Sequence, residues 1–126
     1  MAARSKRVVI ADGYRDAADS LAVVLGLHGY ETRVVYDGAA AARLVEEWQP
    51  DAAIIDLDFR DGSGPEIAHR IRAERRSLTL IGTTGWTRQR LQSMAASAGF
   101  DHVQLKPVDF RRLLQLLDDD TEVRPA

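Results

Sequence analysis

Short apolar runs alternate along this chain with longer stretches whose apolar residues recur at helical spacing. The short runs are rich in β-branched residues and are bounded by Gly, Pro, Asp or other polar residues, which is typical of strands. They comprise Val8–Ala11, Thr32–Tyr36, Ala52–Ile55, Leu78–Gly82 and Val103–Leu105. The pattern therefore predicts five strands.

The stretches between the strands each carry one apolar face, which indicates amphipathic helices. The fullest sets at i, i+3, i+4 and i+7 are Ala41, Leu44, Val45 and Trp48; Leu91, Met94, Ala95 and Ala98; and Phe110, Leu113, Leu114 and Leu117. Helix ends are indicated by Gly29 and Gly99, and N-caps by Asp37 and Asp109. A strand followed by a helix, five times over, predicts a parallel sheet with helices on both faces.

Length and composition indicate one domain, with a core at about residues 7–117 and a frayed acidic tail at 118–126. The formal net charge of −2 excludes a general basic field for nucleic acid. Cysteine is absent, which excludes disulfides and thiolate metal sites. No apolar run approaches the ~20 residues of a membrane span, or the core of a signal peptide. We therefore expect a cytoplasmic domain that binds neither nucleic acid nor a membrane.

Polar residues that can carry chemistry follow four of the predicted strands. Asp12 follows the first strand, Asp56 the third, Thr84 the fourth and Lys106 the fifth. Because open parallel sheets bind ligands beyond the carboxyl ends of their strands, we expect these side chains to converge at one edge. The alternative is that both carboxylates merely cap loops while Thr84 and Lys106 are solvated. Four such residues at corresponding positions favour a site.

These residue types together indicate phosphorylation of an aspartate. Two neighbouring carboxylates attract a hard divalent cation, most often Mg²⁺. A lysine offers a positive charge to a phosphoryl group, and a threonine hydroxyl can donate to one of its oxygens. An aspartate can act as a covalent nucleophile and form an acyl phosphate.

The chain resembles the receiver domain of two-component response regulators from about Arg7 to Leu117. The segments that carry the resemblance are 8–21 (Val-Val-Ile-Ala-Asp-Gly-Tyr-Arg-Asp-Ala-Ala-Asp-Ser-Leu), 50–56, 62–67 (Gly-Ser-Gly-Pro-Glu-Ile), 80–86 and 98–107. Each segment is weakly specific by itself, but their order and spacing together are specific.

The resemblance implies a flavodoxin-like (βα)₅ fold with strand order 2-1-3-4-5. It implies that Asp56 accepts a phosphoryl group, with Mg²⁺, from a sensor histidine kinase or a phosphotransfer protein. By position, Asp12 is one residue of the family's acidic pair. Thr84 is the hydroxyl that follows the phosphoryl group, and Lys106 is the lysine before a cis proline, Pro107. The domain would be a signalling domain whose only catalysis is its own phosphorylation and dephosphorylation.

The sequence departs from the family pattern at three positions. Gly13 stands where the second acidic residue normally ligates the metal. Val103 stands where an aromatic residue normally turns inward behind the threonine, and Arg60 replaces a proline. Asp58, two residues after the acceptor, can be interpreted in two ways: as a substitute metal ligand, or as a solvated loop carboxylate. We therefore expect Mg²⁺ to bind weakly and the Mg²⁺ dependence of phosphorylation to be impaired.

Three functions remain compatible with the sequence. The first is a phospho-accepting receiver that signals to a downstream protein through its fourth helix, fifth strand and fifth helix. The second is a pseudo-receiver that binds proteins without phosphorylation. The third is a haloacid-dehalogenase-like phosphatase, because Asp56-Leu57-Asp58 also fits an Asp-x-Asp motif. The kinase, the signal and the oligomeric state, with a homodimer among the alternatives, are left open.

Overall fold

The computed structural model describes residues 5–59, 64–74, 77–85 and 99–123. Its strands are β1 (Arg7–Ala11), β2 (Glu31–Val35), β3 (Ala52–Asp56), β4 (Thr79–Thr84) and β5 (His102–Leu105). All five lie within two residues of the predicted runs. The strands form one parallel sheet in the order β2-β1-β3-β4-β5, which confirms the expected topology.

The helices of the described residues are α1 (Arg15–Leu27), α2 (Gly38–Trp48), α3 (Gly64–Glu74) and α4 (Phe110–Val123). The last of these is the fifth helix predicted from the sequence. The predicted fourth helix at 91–98, and Arg60, lie outside the described residues. Within the described residues, no helix is both long enough and apolar enough to cross a membrane.

Alternation along the central strands sends side chains to two separate cores. On one face, Val9, Ala53 and Leu80 pack against the apolar sides of α2 and α3. On the other, residues such as Ile10 and Ile54 pack against α1 and α4. The inner strands β1 and β3 each have a paired strand on both sides and are covered on both faces. Their sequences are therefore nearly continuous apolar runs.

The predicted helix ends are confirmed where the structure describes them. Gly29 follows α1 with a φ of 93°, a conformation that glycine adopts without strain. The carboxylate of Asp37 accepts a hydrogen bond from Ala40 N over 2.8 Å and caps α2, and Asp109 accepts one from Arg112 N over 3.2 Å at the start of α4. The Lys106–Pro107 peptide bond is cis.

The last helix extends into the acidic tail and is held at its middle by residues from distant parts of the chain. The sequence predicts fraying from residue 118, which stays a prediction, and α4 extends to Val123. Two contacts hold this helix at that point: the Tyr30 hydroxyl donates to the Asp118 carboxylate, and the Lys6 ammonium donates to the Leu117 carbonyl. Because both partners come from distant parts of the chain, local composition could not reveal them.

Candidate functional site

The carboxyl ends of β1, β3, β4 and β5 bring the four predicted chemical groups to one edge of the sheet. Lys106 Nζ lies 3.5 Å from Asp12 Oδ2 and 3.3 Å from Asp56 Oδ1. Asp56 is paired in register with Thr83, so Thr84 lies just beyond the same edge. Thr84 is fully buried, which rules out the alternative that it is a solvated surface residue.

Asp56 is the most enclosed carboxylate of the site, with 1% of its surface exposed. Its Oδ1 accepts a hydrogen bond from Asp58 N over 2.8 Å. Its Oδ2 has no hydrogen-bond partner among the residues that the structure describes. One oxygen is therefore fixed in place while the other is left to react or to bind a cation.

The charges around Asp56 act in opposite directions on its proton affinity. The pKa of this carboxyl is raised to about 6, chiefly by burial and also by the neighbouring Asp12. The Asp58 N–H and the Lys106 ammonium oppose this increase by stabilising the ionised form. At neutral pH the group is therefore an anion that is destabilised by its surroundings, which suits a nucleophile or a metal ligand.

Lys106 holds the two carboxylates together. Burial by itself lowers the pKa of its ammonium, but Asp56 and Asp12 outweigh that effect, so the pKa is raised. The ring of Tyr14 covers the ammonium at 4.9 Å from the ring centroid, within cation–π distance. Asp12 is oriented toward Lys106 because its other oxygen accepts a hydrogen bond from Tyr14 N over 2.9 Å.

Asp58 makes contacts that the sequence did not reveal. Its Oδ1 accepts a hydrogen bond from Thr84 Oγ1 over 2.7 Å, and its Oδ2 accepts one from Gly85 N, also over 2.7 Å. The interpretation of Asp58 as a solvated loop carboxylate is therefore wrong. The other interpretation, a substitute metal ligand, stays a prediction.

Gly13 opens one side of the acidic site. A cavity of about 440 Å³ extends from Gly13 to Asp56, Asp58 and Phe59. A Cβ atom added at Gly13 would lie 3.7 Å from Phe59 Cδ1, an ordinary van der Waals contact. A side chain therefore fits at this position, and the glycine is not required by close packing.

The donor set fits a magnesium ion, although sparsely. Within the described residues, no group of three His, Cys, Asp or Glu side chains is arranged to hold a metal. Mg²⁺ nevertheless binds proteins through as few as one or two carboxylates and retains several waters. Asp12, together with the unpartnered Oδ2 of the buried Asp56, provides such a minimal set.

Phe100 is a neighbour of β4 that the sequence did not reveal. A Cβ added at Gly82 would lie 3.0 Å from the Phe100 ring, so glycine at this position lets the ring pack against β4. Val103, on β5, is paired in register with Gly82 and is half-buried. A ring therefore does lie against this part of the sheet, but it comes from the segment before β5 rather than from position 103.

An open parallel sheet in the order β2-β1-β3-β4-β5, with two aspartates, a lysine and a buried threonine at the carboxyl ends of its strands, is the arrangement of a receiver type of signalling domain. Comparison with known families confirms the class: the response regulator receiver domain matches residues 8–118, and the chain belongs to this family. Receiver domains are signalling modules of two-component systems rather than conventional enzymes.

Solved structures with the same fold support the assignment. A CheY-like receiver domain protein from Methanospirillum hungatei JF-1 is 25% identical, with a TM-score of 0.85 over 94% of this chain and 98% of that one. A response regulator from Burkholderia pseudomallei, solved with a phosphorylated aspartic acid, is 22% identical, with a TM-score of 0.83 over 94% and 71%. TrrA from Thermotoga maritima, solved with Mg²⁺ and BeF, is 23% identical, with a TM-score of 0.81 over 91% and 98%.

Proposed function

We propose that this receiver domain accepts a phosphoryl group on Asp56 from a sensor histidine kinase or a phosphotransfer protein. The observation that carries the proposal is the state of the Asp56 carboxylate: buried, anchored through Oδ1, unpartnered among the described residues at Oδ2, and 3.3 Å from the Lys106 ammonium. A buried anion beside a fixed cation is suited to nucleophilic attack on phosphorus.

The transfer follows from the positions of these groups. An oxygen of the Asp56 carboxylate attacks the phosphorus of a phosphohistidine, an O–P bond forms, the N–P bond breaks, and the imidazole leaves with its electron pair and takes up a proton from solvent. Lys106 stabilises negative charge on the phosphoryl oxygens, and the Thr84 hydroxyl is within the same strand-end cluster to donate to one of them. Asp12 orients Lys106 through their ion pair.

Asp12 and Asp56 would hold Mg²⁺, whose charge neutralises that of the phosphoryl group during transfer. Gly13 contributes no carboxylate to the ion, so we propose that metal binding is weak. Both Asp58 oxygens already accept hydrogen bonds, from Thr84 and Gly85, so ligation of the ion by Asp58 would compete with at least one of these bonds.

The proposed downstream surface includes β5 and α4, together with the helix predicted at 91–98, which lies outside the described residues. Lys106 connects the site to this surface because it follows β5 directly and its backbone N–H bonds to Thr84 O over 2.7 Å. We do not extend the proposal to nucleic acid, because the chain's net charge of −2 gives no general attraction to it.

A second candidate function is that of a pseudo-receiver, which binds a partner protein without phosphorylation. Gly13 favours it by removing a metal ligand, and so does the engagement of Thr84 by Asp58. The family match gives no support to the phosphatase alternative, which we do not propose further.

Incubation with acetyl phosphate and Mg²⁺, followed by intact-mass measurement, separates the two candidates. We expect a mass gain of one phosphoryl group in the natural sequence and none in Asp56→Asn. A gain in both would assign the acceptor to another residue. No gain in the natural sequence at any Mg²⁺ concentration, although a kinase or partner protein still binds, would favour the pseudo-receiver.

A further inference from the structure

We propose that Asp58 is a positioning residue that takes the hydrogen-bonding place of the phosphoryl group while Asp56 is unmodified. Its carboxylate holds the Thr84 hydroxyl and the Gly85 N–H, which a phosphoryl group on Asp56 would otherwise recruit. The claim that Asp58 competes with a phosphoryl group rests on the function proposed above. The claim that Asp58 holds Thr84 and Gly85 in the unmodified protein does not.

The main chain delivers Asp58 to this position. The ladder between β3 and β4 continues one step past Asp56, since Leu57 N donates to Thr83 O over 2.8 Å. Asp58 N then turns back to Asp56 Oδ1. The Asp58 side chain therefore lies level with Thr84 and Gly85, just beyond the end of β4.

The two contacts use both oxygens of one anion. Each spans 2.7 Å, the length expected when the acceptor is charged. A phosphoryl group is also an anion with several acceptor oxygens, and it carries about −1.5 to −2 charges. Asp58 and a phosphoryl group on Asp56 would therefore compete for the same donors and repel each other.

Two consequences follow for signalling. The end of β4 is held by an anion before phosphorylation, so the further movement of Thr84 on phosphorylation should be small. Phosphorylation should also be hindered, because Asp58 must release Thr84 and Gly85 first. In this chain, Asp58 sets both the resting position of the switch residue and the ease of phosphoryl acceptance.

The test combines amide NMR of the apo protein with titration by Mg²⁺–fluoroberyllate, a mimic of the phosphoryl group. In Asp58→Ala, the Gly85 amide proton should shift upfield because it loses a charged acceptor, and fluoroberyllate should return it downfield. In the natural sequence, the Gly85 amide should change little on titration. Fluoroberyllate should bind Asp58→Ala about tenfold more tightly than the natural sequence.

Asp58→Asn keeps the shape of the side chain but loses the charge and one acceptor oxygen, so its Gly85 amide should lie between the other two. Asp37→Asn is the matched control: Asp37 lines the same cavity, but its carboxylate caps α2, a role that Asn performs equally well. This control removes the same charge and should leave both the Gly85 amide and fluoroberyllate affinity unchanged.

The proposal is overturned if the Gly85 amide is unmoved in Asp58→Ala, or if fluoroberyllate binds that variant no more tightly. Weaker binding would identify Asp58 as a metal ligand instead. If neither the natural sequence nor any variant binds fluoroberyllate, the function proposed above is wrong. The Gly85 shift in the apo proteins then decides the place of Asp58 by itself.

Discussion

The Lys106 ammonium lies 3.3 Å from Asp56 Oδ1 and is the cation closest to a carboxylate that is almost entirely buried, among the residues that the structure describes. Without this ion pair, the Asp56 charge would be opposed by burial and by Asp12 with only a backbone N–H to stabilise it. The relationship between these two residues therefore determines how the site responds to pH and to substitution.

In the absence of metal, we expect the Asp56 carboxyl to lower the free energy of unfolding as the pH rises from about 4 to about 6. The pKa of Asp56 is raised from 3.8 to about 6 in the folded chain, so the folded state holds its proton more tightly than the unfolded state. Stability from this group is present below pH 4 and is lost as the pH approaches 6. The loss should be on the order of 1–3 kcal/mol.

Urea unfolding with a chelator present, at a series of pH values, measures this effect. Asp56→Asn should be more stable than the natural sequence above pH 6 and should lack this part of the pH dependence. If the free energy of unfolding changes equally with pH in both proteins between pH 4 and 6, the ionised Asp56 carboxylate is not destabilised by its surroundings.

Removal of the Lys106 charge should raise the pKa of Asp56 beyond its present value. In Lys106→Met the buried carboxylate loses its cation while the side chain keeps its approximate volume, so the ionised form becomes less favourable. We expect an upward displacement in the titration of the Asp56 carboxyl carbon, measured by NMR, and about tenfold slower phosphorylation by acetyl phosphate.

Lys106→Arg is the control for this experiment, because it keeps a positive charge with a different shape. It should show a smaller displacement of the Asp56 titration than Lys106→Met. If Asp56 titrates identically in the natural sequence and in Lys106→Met, the Lys106 charge does not affect the pKa of Asp56.

Gly13→Asp should strengthen Mg²⁺ binding by about tenfold or more and accelerate phosphorylation, since it adds a carboxylate beside Asp12. The cavity next to Gly13 has room for a side chain, with Phe59 as the nearest contact at 3.7 Å from an added Cβ. Isothermal titration calorimetry with Mg²⁺ gives the affinity, and intact mass gives the rate.

Gly13→Ala separates the carboxylate from the Cβ atom and should bind Mg²⁺ no better than the natural sequence. If Gly13→Ala and Gly13→Asp bind Mg²⁺ with the same affinity, the change in affinity comes from the backbone at position 13 rather than from an added carboxylate. If the natural sequence already binds as tightly as Gly13→Asp and loses that affinity in Asp58→Ala, Asp58 has replaced the missing residue.

A phosphoryl mimic should change the amide spectrum of β5 and α4 more than that of α2. The route is short: Lys106 follows β5, and its N–H is bonded to Thr84 O. Because Val103 has no ring that could turn inward, we expect modest changes. Perturbations confined to α1 and α2 would place the output surface elsewhere.

Much of the fold was determined by the sequence itself. The strand runs and the helical spacing depend on which face of each element is apolar, and such periodicity is local along the chain. The same is true of Asp37 and Asp109, whose caps use backbone N–H groups three residues away. Asp12, Asp56, Thr84 and Lys106 could be predicted to meet because parallel strands bring their carboxyl ends to one edge.

Tertiary structure decided what those residues do to one another. Asp58 bonds to Thr84 and Gly85 because the pairing of β3 with β4 continues past Asp56. The register of this pairing depends on both strands, so the sequence of one strand does not determine it. The raised pKa of Asp56 depends on burial by residues from distant parts of the chain, and the hydrogen bond to Asp118 comes from Tyr30, 88 residues away. Local periodicity specifies elements, whereas distances between side chains on different elements are set only when the sheet and its two cores pack together.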